Sequence, residues 1–90
     1  MNAFRKKYKL APGTQVREED FGLLFYHRGG PRLFWVPCGR LLEVRFFQGE
    51  IPLKQWLREE SPRILVPDSR LLSLARALNQ LKDKGVIVEC

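Results

Sequence analysis

The chain has 90 residues, of which 44% are hydrophobic and 29% charged, and its formal net charge is +6. This composition excludes wholesale disorder, and this length leaves room for one core but little volume for a deep active-site cavity. Two distant cysteines without a metal-ligand spacing, and the lack of a signal-peptide or membrane-span stretch, predict a cytoplasmic protein with no membrane partner.

The N-terminal segment carries most of the net positive charge. Residues 1–9 hold four basic residues and no acid, whereas the rest of the chain has twelve basic residues against ten acids. We therefore expect a flexible basic arm over residues 1–9 and a single domain over residues 10–90. A solvated tail and a segment that attracts an acidic partner, either a peptide or a nucleic acid, are both compatible with this pattern.

The next part of the chain predicts three antiparallel strands. Residues 15–18 form a weak edge strand, and residues 21–28 form a second strand because aromatic and branched side chains fit a pleated surface. Gly29-Gly30 supplies a tight turn, and Pro31 is tolerated as the first residue of a third strand over residues 31–36.

A two-residue turn makes Phe25 face Phe34, so both faces of this hairpin are apolar. One face carries Leu23, Phe25, Phe34 and Val36, and the other carries Leu24, Tyr26, Leu33 and Trp35. An ordinary two-layer domain needs only one apolar face. The hairpin is therefore either central and buried on both faces, or covered by helices on one face and by a dimer partner or a peptide on the other.

Three helices are predicted after the sheet. The first has apolar residues at helical spacing from Leu41 to Phe46 and ends near Gly49. The second starts with Pro52 and ends at Ser61-Pro62. Its apolar stripe is Leu53, Trp56 and Leu57. An apolar connector then fills the core with Ile64, Leu65 and Val66.

The third helix is the clearest of the three. Asp68 or Ser69 caps its start, and Gly85 follows a basic last turn. Its core stripe is Leu71, Leu74, Leu78 and Leu81, and beside it lies a second row of Leu72, Ala75 or Arg76, Asn79 and Lys82. Residues 86–88 end the chain as a short strand. The predicted fold is α+β and winged-helix-like, an N-terminal three-stranded antiparallel sheet followed by three helices.

No set of residues specifies catalysis. The single histidine, His27, is interpreted as a surface residue of a strand, and the acids at residues 18–20 as a solvated cluster. Cys38 needs a nearby histidine to act as a nucleophile, and no motif provides one. Gly29-Gly30 lacks the lysine and the Ser/Thr of a phosphate loop. We therefore expect a protein that is not an enzyme and that has no metal or cofactor.

Two binding modes remain. In one, an extended peptide pairs with the free edge of strand 31–36 and fills pockets beside the third helix. In the other, that helix enters a DNA major groove. Its outward residues would be Arg70, Ser73, Arg76, Asn79 and Gln80. Four basic residues against two acids over residues 68–84 favour the peptide, so nucleic acid is not the expected partner.

Several short stretches support a family resemblance. They are Tyr8-Lys9-Leu10, Val16-Arg17, the run Phe21-Gly22-Leu23-Leu24-Phe25-Tyr26-His27, Arg32-Leu33 and Arg40-Leu41-Leu42. Over residues 8–42 the chain resembles the mycofactocin-system peptide chaperones. These belong with the PqqD-like chaperones, the recognition elements of ribosomally made and modified peptides.

The resemblance implies a winged-helix-like recognition domain that binds the leader of a precursor peptide as an added strand. The chaperone presents that peptide to a radical S-adenosylmethionine maturase, which holds the iron–sulfur clusters itself. On this chain the implied peptide-binding strand residues are Arg32, Leu33, Phe34, Trp35 and Val36. The implied helix residues are Leu72, Ala75, Arg76, Asn79 and Lys82.

Overall fold

The computed structural model describes residues 3–29, 32–59 and 67–90. These residues form an α+β arrangement with antiparallel sheets, as predicted. The strands are β1 (Tyr8–Leu10), β2 (Thr14–Glu19), β3 (Gly22–His27), β4 (Arg32–Val36) and β5 (Ile87–Glu89), and the helices are α1 (Leu53–Glu59) and α2 (Asp68–Asp83). Because the described residues contain two α-helices, neither the third helix nor the winged-helix arrangement is confirmed.

The three-stranded sheet agrees closely with the prediction. Its strands lie in the order β2-β3-β4, and both pairings are antiparallel. In the β3–β4 hairpin Leu24 pairs with Trp35 and Phe25 with Phe34, which confirms the predicted register. The turn predicted at Gly29-Gly30 includes a residue outside the described ranges.

The N-terminal segment is packed into the domain. β1 pairs antiparallel with β5, and Tyr8, its first residue, is fully buried. The carbonyl of Lys7 accepts a hydrogen bond of 3.0 Å from the amide of Cys90. The boundary predicted after Lys9 therefore falls inside a strand, and the expectation of a flexible arm is wrong for these residues. The four basic residues suggested a solvated segment, but this segment also contains Tyr8, a large apolar side chain whose strand pairs with the distant β5.

The helix predicted over residues 41–49 is wrong. Between β4 and α1 the structure has a four-residue 3-10 turn, Val44–Phe47, preceded by extended backbone at Glu43. The carbonyl of Leu41 accepts the indole N–H of Trp56 at 2.9 Å. The carboxylate of Glu18 accepts the amide of Val44 at 3.2 Å. The side chains of Trp56 and Glu18 thus provide hydrogen-bond partners for backbone groups of this segment. The segment buries Phe46 and Phe47 without forming an α-helix.

α2 begins differently from the prediction and ends as predicted. Its N-cap is Pro67, with no side-chain cap, so capping by Asp68 or Ser69 is wrong. Asp68 is instead the first helical residue, where a negative charge favours the helix dipole. At the other end Gly85 has a φ of 77°, and the amides of Gly85 and Val86 bond to carbonyls of the last turn. This is a Schellman ending, which the glycine makes possible.

The core lies between the three-stranded sheet, the 3-10 turn and both helices. The largest fully buried side chains are Trp56, Tyr8, Phe25 and Phe46. α1 follows Pro52 as predicted and buries Leu53 and Trp56. The predicted end of α1 at Ser61-Pro62 and the core-filling residues Ile64, Leu65 and Val66 lie outside the described residues. Neither described helix is long and apolar enough to cross a bilayer.

Candidate functional site

The β3–β4 hairpin has one buried face and one exposed face. Phe25 is 0% exposed and Val36 5%, whereas Leu33 is 66% exposed and Trp35 47%. The pairing register places these two sets on opposite sides of the sheet, since successive side chains of a strand alternate. The two-faced apolar pattern therefore corresponds to a core face and an accessible face.

β4 is an edge strand of this sheet. It pairs with β3 on one side, and no described strand pairs with its other side. An edge strand presents alternate amides and carbonyls that have no partner within the sheet. At the end of the strand the carbonyl of Val36 accepts the amide of Cys38 at 2.8 Å, which terminates the extended backbone there. The open edge is thus limited to the five residues of β4.

A groove of about 610 Å³ runs between the open edge of β4 and α2. On the strand side it is lined by Leu33, Phe34, Trp35 and Val36, and on the helix side by Ala77, Gln80, Leu81, Asp83 and Lys84. Its volume lies within the range of roughly 300–1,000 Å³ that is usual for ligand sites. We call this cleft the β4–α2 groove.

A second, smaller pocket of about 80 Å³ continues the groove beyond the end of β4. It shares Val36 and Ala77 with the groove, and its lining is otherwise Pro37, Cys38, Leu41, Arg70, Ser73 and Leu74. Cys38 is 5% exposed, and burial raises the pKa of its thiol. This end pocket is therefore mainly apolar, with a neutral thiol in its wall.

Four of the five predicted strand residues, Leu33 to Val36, line the groove. Arg32 is the exception, since it pairs with His27 at the turn end of β4 and is not among the lining residues. The strand side of the predicted site and the groove therefore coincide closely.

The five predicted helix residues do not line the groove. Ala75 is buried, and Leu72 and Arg76 are exposed elsewhere on the helix. The Nζ of Lys82 donates to Glu89 of β5 at 3.2 Å. The Oδ1 of Asn79 is buried without a hydrogen-bond partner in the described part of the chain. None of these five residues is thus among those that line the groove or its end pocket, whereas the resemblance implied that they face the peptide beside β4.

The helix residues that line the groove and its end pocket form a different row. Within α2 this row is Arg70, Ser73, Leu74, Ala77, Gln80 and Leu81, and Asp83 and Lys84 complete the lining at the end of the helix. At 3.6 residues per turn the centre of this row lies roughly 165° around the helix from the centre of the predicted row. The groove row shares Leu74 and Leu81 with the core stripe, and the predicted row lies on the other side of that stripe, so helical spacing alone cannot tell which side faces β4. The small residues Ser73 and Ala77 were the available signal, since they leave space beside a strand.

The charged residues of the groove and its end pocket are two bases and one acid. Arg70 lies beside the end pocket and Lys84 at the opposite end, and Asp83 is the acid among the lining residues. The Nη2 atom of Arg70 lies 3.9 Å from where a Cβ atom on Gly39 would be, so the guanidinium is positioned above the loop after β4. The groove therefore combines an apolar floor with positive charge at the end pocket and with one charge of each sign, Asp83 and Lys84, at its opposite end.

Other chemically capable residues have structural contacts. His27 Nδ1 and Thr14 Oγ1 are 2.8 Å apart across the β2–β3 pair. In the acidic cluster, Glu19 accepts from Arg17 at 2.6 Å. Within the described ranges no group of three or more His, Cys, Asp or Glu side chains could hold a metal ion.

Comparison of this chain with protein-family models, with curated proteins and with solved structures finds no match.

Proposed function

We propose that this protein is a non-catalytic peptide chaperone of the PqqD-like kind. It binds the leader region of a ribosomally made precursor peptide and presents that peptide to a radical S-adenosylmethionine maturase of the mycofactocin type. The observation that carries the proposal is the open edge of β4 beside the β4–α2 groove.

Strand addition at β4 supplies both affinity and register. An extended peptide placed along β4 pairs with the free backbone groups of the edge, and alternate side chains point toward α2. Val36 and Leu81 are 5% and 3% exposed, so the groove has an apolar floor that such side chains can cover. The groove already has a volume of about 610 Å³, so a peptide can enter it without a rearrangement of the sheet.

The other edge of the same sheet is less suited to a peptide. The side chains of Arg17 and Glu19 in β2 form an exposed ion pair, and Glu18 bonds to the 3-10 turn. Charged side chains on an edge strand oppose pairing with another chain. β2 is therefore an internal control for any experiment on β4.

The choice of precursor and maturase rests on the resemblance over residues 8–42. This stretch includes β1 to β4, so it contains the strand side of the groove. The neighbouring reading frames test this part of the proposal. The resemblance implies that the maturase acts on a C-terminal Val-Tyr of the precursor. A short precursor with that ending beside a radical-enzyme gene would support the proposal, and a neighbourhood without a precursor peptide would contradict it.

Binding is tested with a synthetic leader peptide from such a reading frame. Hydrogen exchange followed by NMR should show increased protection of amides in β4 and unchanged protection in β2. Ala77→Phe, which fills the groove, should abolish the change, whereas Arg76→Phe, one residue along and outside the groove, should retain it. Thermal unfolding of both variants verifies that they fold. Protection that increases in β2 or not at all would rule out strand addition at β4.

DNA binding is the alternative outcome, and salt separates the two. A DNA-binding protein that makes several phosphate contacts loses orders of magnitude in affinity between low and moderate salt. Strand addition depends mainly on backbone hydrogen bonds and apolar contacts, so its salt dependence should be weak. Fluorescence anisotropy with labelled leader peptide and labelled duplex DNA measures both dependences on the same protein.

A further inference from the structure

The end pocket has the size and lining for one aliphatic side chain. Its volume is about 80 Å³, and its walls include Leu41, Leu74 and the neutral thiol of Cys38. On the helix side it is lined by Arg70, Ser73, Leu74 and Ala77, and the short side chains of Ser73 and Ala77 take up little space there. A peptide that extends along β4 toward Pro37 therefore reaches an apolar cavity at the end of the strand.

Arg70 is the one charged residue that lines this pocket. Among the ion pairs of the described residues none includes Arg70, although Asp68 lies two positions before it. Residues two apart on a helix do not face each other, so Asp68 is not aligned to neutralise Arg70. A guanidinium presents a planar fork of donors that matches a carboxylate.

The spacing of the two features suits an extended chain. Leu74 and Arg70 both line the end pocket, and their separation of four residues corresponds to a rise of about 6 Å along a helix. Alternate residues of a strand are about 6.7 Å apart and point to the same side. An aliphatic side chain in the pocket and a carboxylate at Arg70 can therefore come from peptide residues two positions apart.

We infer that the peptide bound at β4 has an aliphatic residue for the end pocket and an Asp or Glu two positions away for Arg70. This specificity rests on the proposed function, because it requires a peptide in the β4–α2 groove. The peptide class is therefore an acidic–aliphatic segment rather than any extended chain.

A phage-displayed library of random heptapeptides tests the inference. The native protein should select sequences in which an aliphatic residue and an acid are two positions apart. Arg70→Glu should select Lys or Arg at the acidic position, and Ser73→Leu, which fills the pocket, should select Gly or Ala at the aliphatic position. Arg76→Glu makes the same charge change outside the groove and should select the native pattern.

Synthetic peptides give the size of the effect. The native protein should bind a selected acidic peptide at least about tenfold more tightly than its acid-to-lysine version, and Arg70→Glu should reverse that order, because like charges then repel. An acid preference that survives in Arg70→Glu would overturn the inference.

The same peptides separate this inference from the proposed function. If selected peptides protect β4 amides but their sequence preference ignores Arg70→Glu, the specificity is wrong and strand addition stands. If selected peptides bind without any change in β4, the proposed function itself fails, and the inference fails with it.

Discussion

The two sheets of this protein differ in what surrounds them. Both strands of the β1–β5 pair bury a side chain in the core, Tyr8 from β1 and Ile87 from β5. Glu89 of β5 also forms ion pairs with Lys6 and Lys82. The β2-β3-β4 sheet has a buried face, an exposed face and an open edge beside a groove. The contacts that hold the N- and C-terminal strands together are thus separate from the candidate binding edge, so stability and peptide binding should respond to different substitutions.

The largest effect is expected on the buried face of the three-stranded sheet. Phe25 is 0% exposed and packs edge-on against Phe47, with ring centroids 5.2 Å apart. Phe25→Ala should lower the free energy of unfolding by about 3–5 kcal/mol, because it leaves a cavity. Leu33→Ala, on the exposed face of the same hairpin, should cost less than about 1 kcal/mol. If urea denaturation shows the same loss of unfolding free energy for both variants, the two faces of the hairpin do not differ in burial.

If a peptide pairs with the open edge of β4, the effect of proline substitutions should alternate from one residue of the strand to the next. In an antiparallel pair, neighbouring residues direct their amides to opposite sides of the strand. Of Arg32→Pro and Leu33→Pro, at two neighbouring positions with exposed side chains, one should therefore remove a bond to β3 and lower stability. The other should keep stability and weaken leader-peptide binding by about 1–3 kcal/mol. Urea denaturation and peptide titration of both variants measure the two effects. If neither variant weakens binding, the peptide does not pair with this edge.

The hairpin could be predicted because its signal is local. A two-residue glycine turn between two apolar runs specified the register, and Phe25 does pair with Phe34. The helix predicted over residues 41–49 failed because distant groups decide that segment. Trp56 and Glu18 bond to its backbone, and neither partner can be inferred from a helical period of apolar residues.

The candidate site was predictable on its strand side and not on its helix side. Leu33 to Val36 follow from the strand pattern, and they line the groove. Ala77 and Lys84 belong to a row that only the position of α2 relative to β4 identifies. The burial of Tyr8 was missed for a related reason, since its partner strand is β5, at the other end of the described chain.

A smaller change in stability is expected from a substitution of Tyr8 in the β1–β5 pair. Its hydroxyl is buried and has no hydrogen-bond partner among the described residues, and burial, with a contribution from Glu89, raises its pKa. Tyr8→Phe removes an unsatisfied polar group and keeps the ring, so it should stabilise the protein by about 1 kcal/mol. Tyr26→Phe, at an exposed position, is the matched control and should change stability very little. A loss of stability in Tyr8→Phe would mean that the hydroxyl has a partner.

The smallest effect is expected from the ion pairs of Glu89. The hydrogen bond from Lys82, with the charge of Lys6, lowers the pKa of Glu89. A carboxyl with a lowered pKa in the folded state stabilises the protein above its unfolded pKa of about 4.3, and this contribution is lost as pH falls through the folded pKa. Glu89→Gln should therefore flatten the acid side of the stability profile in urea denaturation at low salt, and Glu50→Gln should not. If the dependence of stability on pH is the same for the native protein and Glu89→Gln, these ion pairs do not stabilise the β1–β5 sheet.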